Sequence, residues 1–327
     1  MPKFSIIVPI YNRPDEMAEL LESLTFQTFK DFEVLILEDN SPMKSDEVAK
    51  KYSEKLDVHY FFIPGTDRSY RRNYGMQQAK GSYFILFDSD CVIPGGYLDA
   101  VNVALREAPA DCFGGPDNAD GNFSDMQKAV NYSMTSFFTT GGIRGGNKRM
   151  EKFNPRSFNM GISRKAFEVT GGFKSMIGED IDFSLRVREA GMETKLYRDA
   201  FVYHKRRVNI SKFYHQTHTF GKARIVLTKA HPGSLKSVHL LPMFFVLGHL
   251  LLLVLAIAWS PLWLLFVALY MLLLFLDSWR KNGRVRIAFL SVVAAYAQLF
   301  GYGMGFMEEA LTGHALKELK GQEKLYK

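Results

Sequence analysis

The feature that most restricts this chain is a run from Leu240 to Leu276 containing no Asp, Glu, Lys or Arg. A bilayer core about 30 Å thick needs roughly 20 apolar helical residues, each rising about 1.5 Å. Leu240 to Trp259 has that length, Ser260-Pro261 interrupts the pattern, and Leu262 to Leu276 follows as a shorter apolar stretch. A third stretch, Ile287 to Met307, is weaker because it holds Gln298 and three glycines. A buried core helix does not account for so long an uncharged run. We therefore expect a membrane part over 237–307, with helices at about 240–259, 261–277 and 286–307, then a polar tail, 308–327. Ahead of it lie a basic segment, 209–236, and a soluble domain, 1–208.

The formal net charge is +7. Nine Lys/Arg and one acidic residue, Asp199, lie between Arg198 and Lys236, so this belt alone exceeds the net charge of the whole chain. A basic belt leading into apolar sequence suits anionic lipid headgroups and argues against nucleic acid as a partner. Ile210 to Lys229 sets Phe213, Phe220, Ala223 and Leu227 among cations, the spacing of an amphipathic helix lying on a bilayer. The two cysteines, Cys91 and Cys112, show no CxxC or Cys/His ligand spacing, which excludes a zinc motif and fits a reducing compartment. Met-Pro-Lys runs straight into strand-like sequence without a signal-peptide pattern, so the soluble part is expected in the cytoplasm.

Apolar, β-branched runs at Phe4–Ile10, Phe32–Leu37, His59–Ile63 and Tyr83–Phe87 alternate with helical patterns, including Ser45–Lys55 and Arg68–Ala79. A further helix, Asp180–Ala190, is followed by a late strand, Lys195–His204. Such alternation predicts an α/β domain with a mostly parallel sheet, whose ligands bind beyond the carboxyl ends of the strands. Polar residues gather at three such ends: Asn12 and Arg13, Glu38 and Asp39, Asp88 and Asp90. No G-x-G-x-x-G follows the first strand, which excludes a dinucleotide oxidoreductase. Thr139–Phe158 is Gly-rich and basic and is expected to be a mobile loop, its Arg144, Lys148, Arg149, Lys152 and Arg156 closing over a diphosphate or an anionic acceptor. In Asp88-Ser89-Asp90, two carboxylates at i and i+2 can reach one hard cation, Mg²⁺ or Mn²⁺, which would neutralise charge on a departing nucleoside diphosphate.

FSIIVPIYNRP, LEDNSP, RRNYGMQQAKGSYFILFDSD, FNMGISRKAFEVTGGF and GEDIDFSLRVREAG, in that order and spacing, resemble family 2 glycosyltransferases of the GT-A fold across about residues 4–204. The resemblance implies that Pro9, Tyr11 and Arg13 line the nucleotide pocket. Asp39 would contact the base, with Glu38 where an Asp is more usual. Arg72 would lie near the phosphates and Asn73 on the helix facing the donor. Asp88 would touch the ribose or the metal, and Asp90 the metal. Glu179-Asp180 matches a Glu-Asp pair whose second carboxylate is the general base. An acceptor hydroxyl attacks well only as its proton leaves, and an inverting transfer needs one such base, whereas a glycosidase needs two cooperating carboxyl groups. Asp180 is also placed to cap the helix beginning there, and Asp182 and Arg186 to form an i,i+4 pair. His204, in VYHKRR, matches a position that helps hold metal or diphosphate, with Lys205, Arg206 and Arg207 next to it for phosphate or headgroups. His215-Gln216 and Phe220–Arg224 are only loosely similar to the Gln-x-x-Arg-Trp block of cellulose-synthase-like enzymes. The Trp is absent and too few helices follow for a polymer channel, which disfavours processive secretion.

The implied activity is inverting transfer from a UDP- or GDP-sugar to a lipid or lipid-linked acceptor at the cytoplasmic face of an inner membrane; a homo-oligomer is compatible with this. The alternatives are transfer to a polyprenyl phosphate and a catalytically silent nucleotide-sugar-binding scaffold; intact Asp88, Asp90 and Asp180 argue against the scaffold. In the expected multi-pass topology, the connector Arg280–Arg286 lies inside by its charge, and Glu308–Lys327 lies outside if the third helix crosses.

Overall fold

The computed structural model describes residues 1–118, 124–141, 153–204 and 209–315. It forms two compact units, Met1–Asp120 with Glu151–His204, and Gly121–Met150 with Lys205–Lys327. The strands are β1 (Phe4–Ile10), β2 (Phe32–Glu38), β3 (Val58–Phe62), β4 (Tyr83–Phe87), β5 (Cys91–Val92), β6 (Cys112–Gly114), β7 (Asp117–Asn118), β8 (Asn159–Ser163), β9 (Thr194–Leu196) and β10 (Val202–His204). The first unit's helices are α1 (Pro14–Thr25), α2 (Asp46–Tyr52), α3 (Arg68–Gln78) and α4 (Tyr97–Glu107). The chain then supplies α5 (Asp125–Thr135) and α6 (Phe137–Thr140) to the second unit, and returns for α7 (Arg164–Thr170) and α8 (Glu179–Glu189). The second unit is completed by α9 (Ile210–Ala230), α10 (Leu241–Ala258), α11 (Leu264–Asn282) and α12 (Val285–Thr312).

In the first unit a seven-stranded sheet runs in the order β3-β2-β1-β4-β8-β6-β9. Every residue of β1 and β2 is buried because helices cover both faces, the situation that favours continuous apolar strands. The two-residue period of the strand sends alternate side chains to opposite cores. Ile6 and Val8 join Leu20 and Leu24 of α1 and Val101 of α4, while Ile7 joins Met76 of α3 and Phe183 and Val187 of α8. β1 pairs in parallel with β2 and β4, and β2 with β3, so the polar ends of β1, β2 and β4 share one edge.

Two features depart from the sequence expectation. β8 and β6, both short, enter the sheet, β8 running antiparallel to β4 and to β6. Gly161 of β8 lies against the ring of Phe113, where a Cβ would overlap it, so the position takes no larger residue without repacking. The expected late strand Lys195–His204 is two strands: β9 joins the large sheet beside β6, and β10 joins a separate sheet of order β5-β10-β7. The chain turns between them, where Ala200 N–H donates to the Tyr197 carbonyl.

In the second unit three helices are long and apolar enough to cross a membrane, at Ser237–Ala258, Pro261–Asn282 and Val285–Thr312. They mark the chain as membrane-associated. α11 continues past Asp277 until Gly283, whose φ of +69° closes it as a left-handed C-cap, so the expected connector Arg280–Arg286 is largely helical. The apolar stripe of α9 is not presented to lipid as expected. Phe213 packs with Val130 and Met134 of α5 and Ala294 of α12, and Ala223 and Leu227 are buried. Arg144, Lys148, Arg149 and Lys152 of the expected loop, Lys205–Arg207 and the tail beyond residue 315 lie outside the described residues.

Candidate active site

The carboxyl edge of the sheet gathers most of the residues singled out above. β4 ends at Phe87, and Asp88-Ser89-Asp90 forms the turn into β5. β10 pairs antiparallel with β5 so that His204 stands opposite Cys91. This places His204 Nε2 3.1 Å from Asp90 Oδ1. The imidazole is stacked on Phe158, with centroids 4.6 Å apart and planes within 14°. Asp90, Cys91 and His204 each offer one ligand atom within 4.8 Å of the others. Burial, then the charges of Asp90 and Asp88, push the Cys91 thiol well above its ordinary range, so it stays protonated, and its Sγ faces the Phe158 carbonyl at 3.6 Å. The usable donors are therefore one carboxylate and one imidazole, a set that fits a divalent ion needing further oxygens from a diphosphate. Arg13 closes the other side, its Nη1 2.9 Å from Glu16 and 3.9 Å from Asp90.

Asp88 is held differently. Arg72 on α3 is fully buried, donating from Nη2 to Asp88 Oδ1 at 3.1 Å and from Nη1 to Glu179 Oε1 at 2.9 Å. Its guanidinium lies 5.6 Å from the centroid of Phe173. One buried cation thus ties the Asp88 turn to the start of α8. Asp180, one residue on, accepts from its neighbour's backbone, Ile181 N–H, at 2.8 Å and from Arg156 Nε at 2.9 Å. The N-cap of α8 is Gly178, at φ +80°, so Asp180 sits inside the first turn and does not cap it. Three acidic residues there, Glu179, Asp180 and Asp182, favour the positive end of the helix dipole. The expected Asp182–Arg186 pair forms at 2.8 Å, and Arg186 also donates to the carbonyls of Thr170 and Gly172.

The remaining residues divide. Asp39 lies at the end of β2, 2.6 Å from Arg71 Nη1, and accepts from Gly65 N–H at 3.0 Å. Desolvation works to raise its pKa, but hydrogen bonds from the backbone of Asn40, from Arg71 and from Gly65 outweigh it and hold the carboxyl below its ordinary value. Tyr11 is exposed at the end of β1, whereas Pro9 is buried within that strand. Glu38 is fully buried, accepting from Ser41 Oγ and from Ser45 N–H, so it braces the loop after β2. Asn73 forms a two-way bond with the backbone of Phe173, Nδ2 donating to its carbonyl and Oδ1 accepting its N–H. Three participants carried no functional signal as sequence. Arg71 was masked by its neighbour Arg72, Cys91 by the lack of a spacing motif, and Phe158 by the distance in sequence to His204.

The mostly parallel seven-stranded sheet with helices on both faces, and the polar cluster at its carboxyl edge, have the architecture of a GT-A glycosyltransferase fold. Residues 5–171, just over half of the chain, match the sequence model described as Glycosyl transferase family 2, and the chain belongs to that family. Among solved structures, the mannosyltransferase PcManGT from Pyrobaculum calidifontis, in complex with GDP-Man and Mn²⁺, superposes with a TM-score of 0.66 at 15% identity, covering 91% of this chain and 87% of that one. Among curated relatives, an uncharacterized glycosyltransferase of Rickettsia felis is 33% identical over 104 residues, 32% of this chain and 17% of that protein. A Campylobacter jejuni protein, GalNAc(5)-diNAcBac-PP-undecaprenol beta-1,3-glucosyltransferase, is 29% identical over 120 residues, 35% of this chain and 38% of the relative. The alignments thus span well under half the length of these curated relatives.

Proposed function

We propose that the chain is an inverting, metal-dependent glycosyltransferase that passes a sugar from a UDP- or GDP-sugar to a lipid or lipid-linked acceptor at the membrane. The observation that carries this reading is the pairing of Asp90 with His204 beside the Arg72-bound Asp88 turn, at the edge where such sheets bind ligands. Asp90 and His204 would hold Mg²⁺ or Mn²⁺ against the donor diphosphate; when bound, the ion neutralises charge developing on the leaving group. Asp39 and Tyr11 border the space for the nucleotide, and Arg13 and Arg72 add positive charge near the phosphates. Asp180 takes the acceptor hydroxyl proton once Arg156 yields its place on Oδ2. Support comes from the family, from a fold neighbour described with GDP-Man and Mn²⁺, and from a relative whose name specifies an undecaprenyl-linked acceptor.

One observation favours the second reading, transfer to a polyprenyl phosphate. Asp180 Oδ2 already faces Arg156 at 2.9 Å, and an acceptor phosphate, ionised at neutral pH, needs no base but would welcome that arginine. The discriminating experiment is transfer by Asp180→Asn. Loss of rate with hydroxyl-bearing lipids supports the first reading; full retention with polyprenyl phosphate supports the second.

A further inference from the structure

We infer that α12 does not cross the bilayer: α9 and α12 form a paired layer on one membrane surface, and only the α10–α11 hairpin enters the hydrocarbon. The inference concerns the membrane part alone and holds for either acceptor.

α9 runs alongside α12 from Ala294 to Glu308. Phe213 packs on Ala294, and Gly221 fits against the backbone of Tyr302 and Phe306. Gly301 lies against Tyr214 and Thr217, and Gly305 against the backbone of His218. These two glycines, four apart, bring the helix backbones together, while Gly303 on another face meets Pro242 and Val246 of α10. At the end of the seam Glu308 pairs with His218 at 3.0 Å and with Lys222. α9 carries Lys212, Lys222, Arg224 and Lys229 with no Asp or Glu. A spanning α12 would draw those cations through the hydrocarbon with it, and charged side chains there are costly and rare.

α5 covers another side of α12. Tyr132 packs with Ala295, and Asp125 lies 3.6 Å from both Arg284 and Arg286. Accordingly 44% of the most apolar window of α12 is buried inside the protein, against 6% and 11% for the first two apolar helices. Most of the exposed apolar surface is on the hairpin, where Leu251, Val254 and Ile257 of α10 and Leu265, Phe266 and Leu269 of α11 are exposed; α12 exposes fewer large apolar side chains, among them Val285, Phe289 and Val293. The partner that fits an apolar hairpin rising from a basic layer is an anionic bilayer.

The test places single cysteines at Ser211 and at His314, at opposite ends of the seam and both exposed, in the full chain with Cys91→Ala and Cys112→Ala. Cells are labelled with an impermeant maleimide before and after permeabilisation. The two positions should label alike, both from the same side. Labelling of one in intact cells and of the other only after permeabilisation would overturn the inference. Should the cysteine-free chain fail to accumulate, the wild-type chain bearing epitope tags at both ends gives an independent reading. Four residues separate His204 from Asn209, at most about 18 Å of extended chain and too short to cross a bilayer, so the N-terminal tag reports the α9 side. Protease treatment of sealed membrane vesicles should remove or spare both tags together; opposite fates would contradict it. Sugar transfer assayed on membranes bearing the tagged wild-type chain reads the chemistry independently of the topology, so the two fail separately.

Discussion

His204 Nε2 lies 3.1 Å from Asp90 Oδ1 because β10 zips antiparallel onto β5, the strand that follows the Asp88-Ser89-Asp90 turn. The pair is brought together by backbone pairing, and Phe158 fixes the plane of the ring. Transfer is expected to require Mg²⁺ or Mn²⁺. Asp90→Ala should cost several kcal/mol of transition-state stabilisation, on the order of 10²-fold or more in rate. His204→Ala should retain activity but raise the half-saturating Mn²⁺ concentration by roughly 10–100-fold. Initial rates against metal concentration check this; undiminished rates in excess chelator would refute it.

Arg72 is a second point of dependence, structural as well as electrostatic. Arg72→Met leaves Asp88 and Glu179 without their shared cation and the α3–α8 connection without its tie. Because both carboxylates keep some contact with water, the expected loss of stability is about 3 kcal/mol, the low end for breaking a buried pair. Thermal denaturation of the purified protein reads it, and a midpoint within a degree of wild type would show that the bridge contributes nothing.

For Asp180, the Asn variant keeps size and the Ile181 N–H bond but removes the basic oxygen. With hydroxyl acceptors the rate should fall roughly 10²–10⁴-fold while donor affinity stays within about twofold. Donor affinity measured by calorimetry separates the cases, since a parallel collapse of binding would make the residue structural.

Asp39 predicts a pH dependence. Its folded pKa lies below the unfolded value of about 3.9, so the folded state favours the carboxylate. The stabilisation is therefore fully present above about pH 4–5 and is lost as pH falls through the folded pKa. Asp39→Asn should flatten the acid limb of the urea midpoint plotted against pH, leaving neutral stability lower than wild type. Identical acid limbs would show that the Arg71 and Gly65 contacts do not persist in solution.

Much of this arrangement is legible in the residues. β1, β2 and β4 announce themselves because burial on both faces demands unbroken apolar runs, and the polar residues at their ends follow from where such strands stop. What is hidden is which way a side chain turns. Glu38 and Asp39 are adjacent, yet the two-residue period sends Glu38 into the loop after β2 and leaves Asp39 with Arg71. Asn73 follows Arg72 on α3, but a helical step of about 100° turns it to the Phe173 backbone. β8 and β6 escape the pattern because short strands with small or polar residues show no period, and the break between β9 and β10 is hidden because β10 is defined by its partner β5. The glycines that weaken α12 as a lipid-facing span are the same ones that seat it against α9 and α10, a property only the packing reveals.

The central claim is tested most directly by one measurement: mass spectrometry of lipids after detergent-purified protein is incubated with Mn²⁺, a panel of UDP- and GDP-sugars, and extracted membrane lipids including polyprenyl phosphates. The account predicts one lipid product heavier by a single glycosyl residue, formed with one nucleotide sugar, absent with chelator and absent with Asp90→Ala. Donor binding with no glycosylated lipid from any combination would contradict it and leave a silent nucleotide-sugar-binding protein in its place.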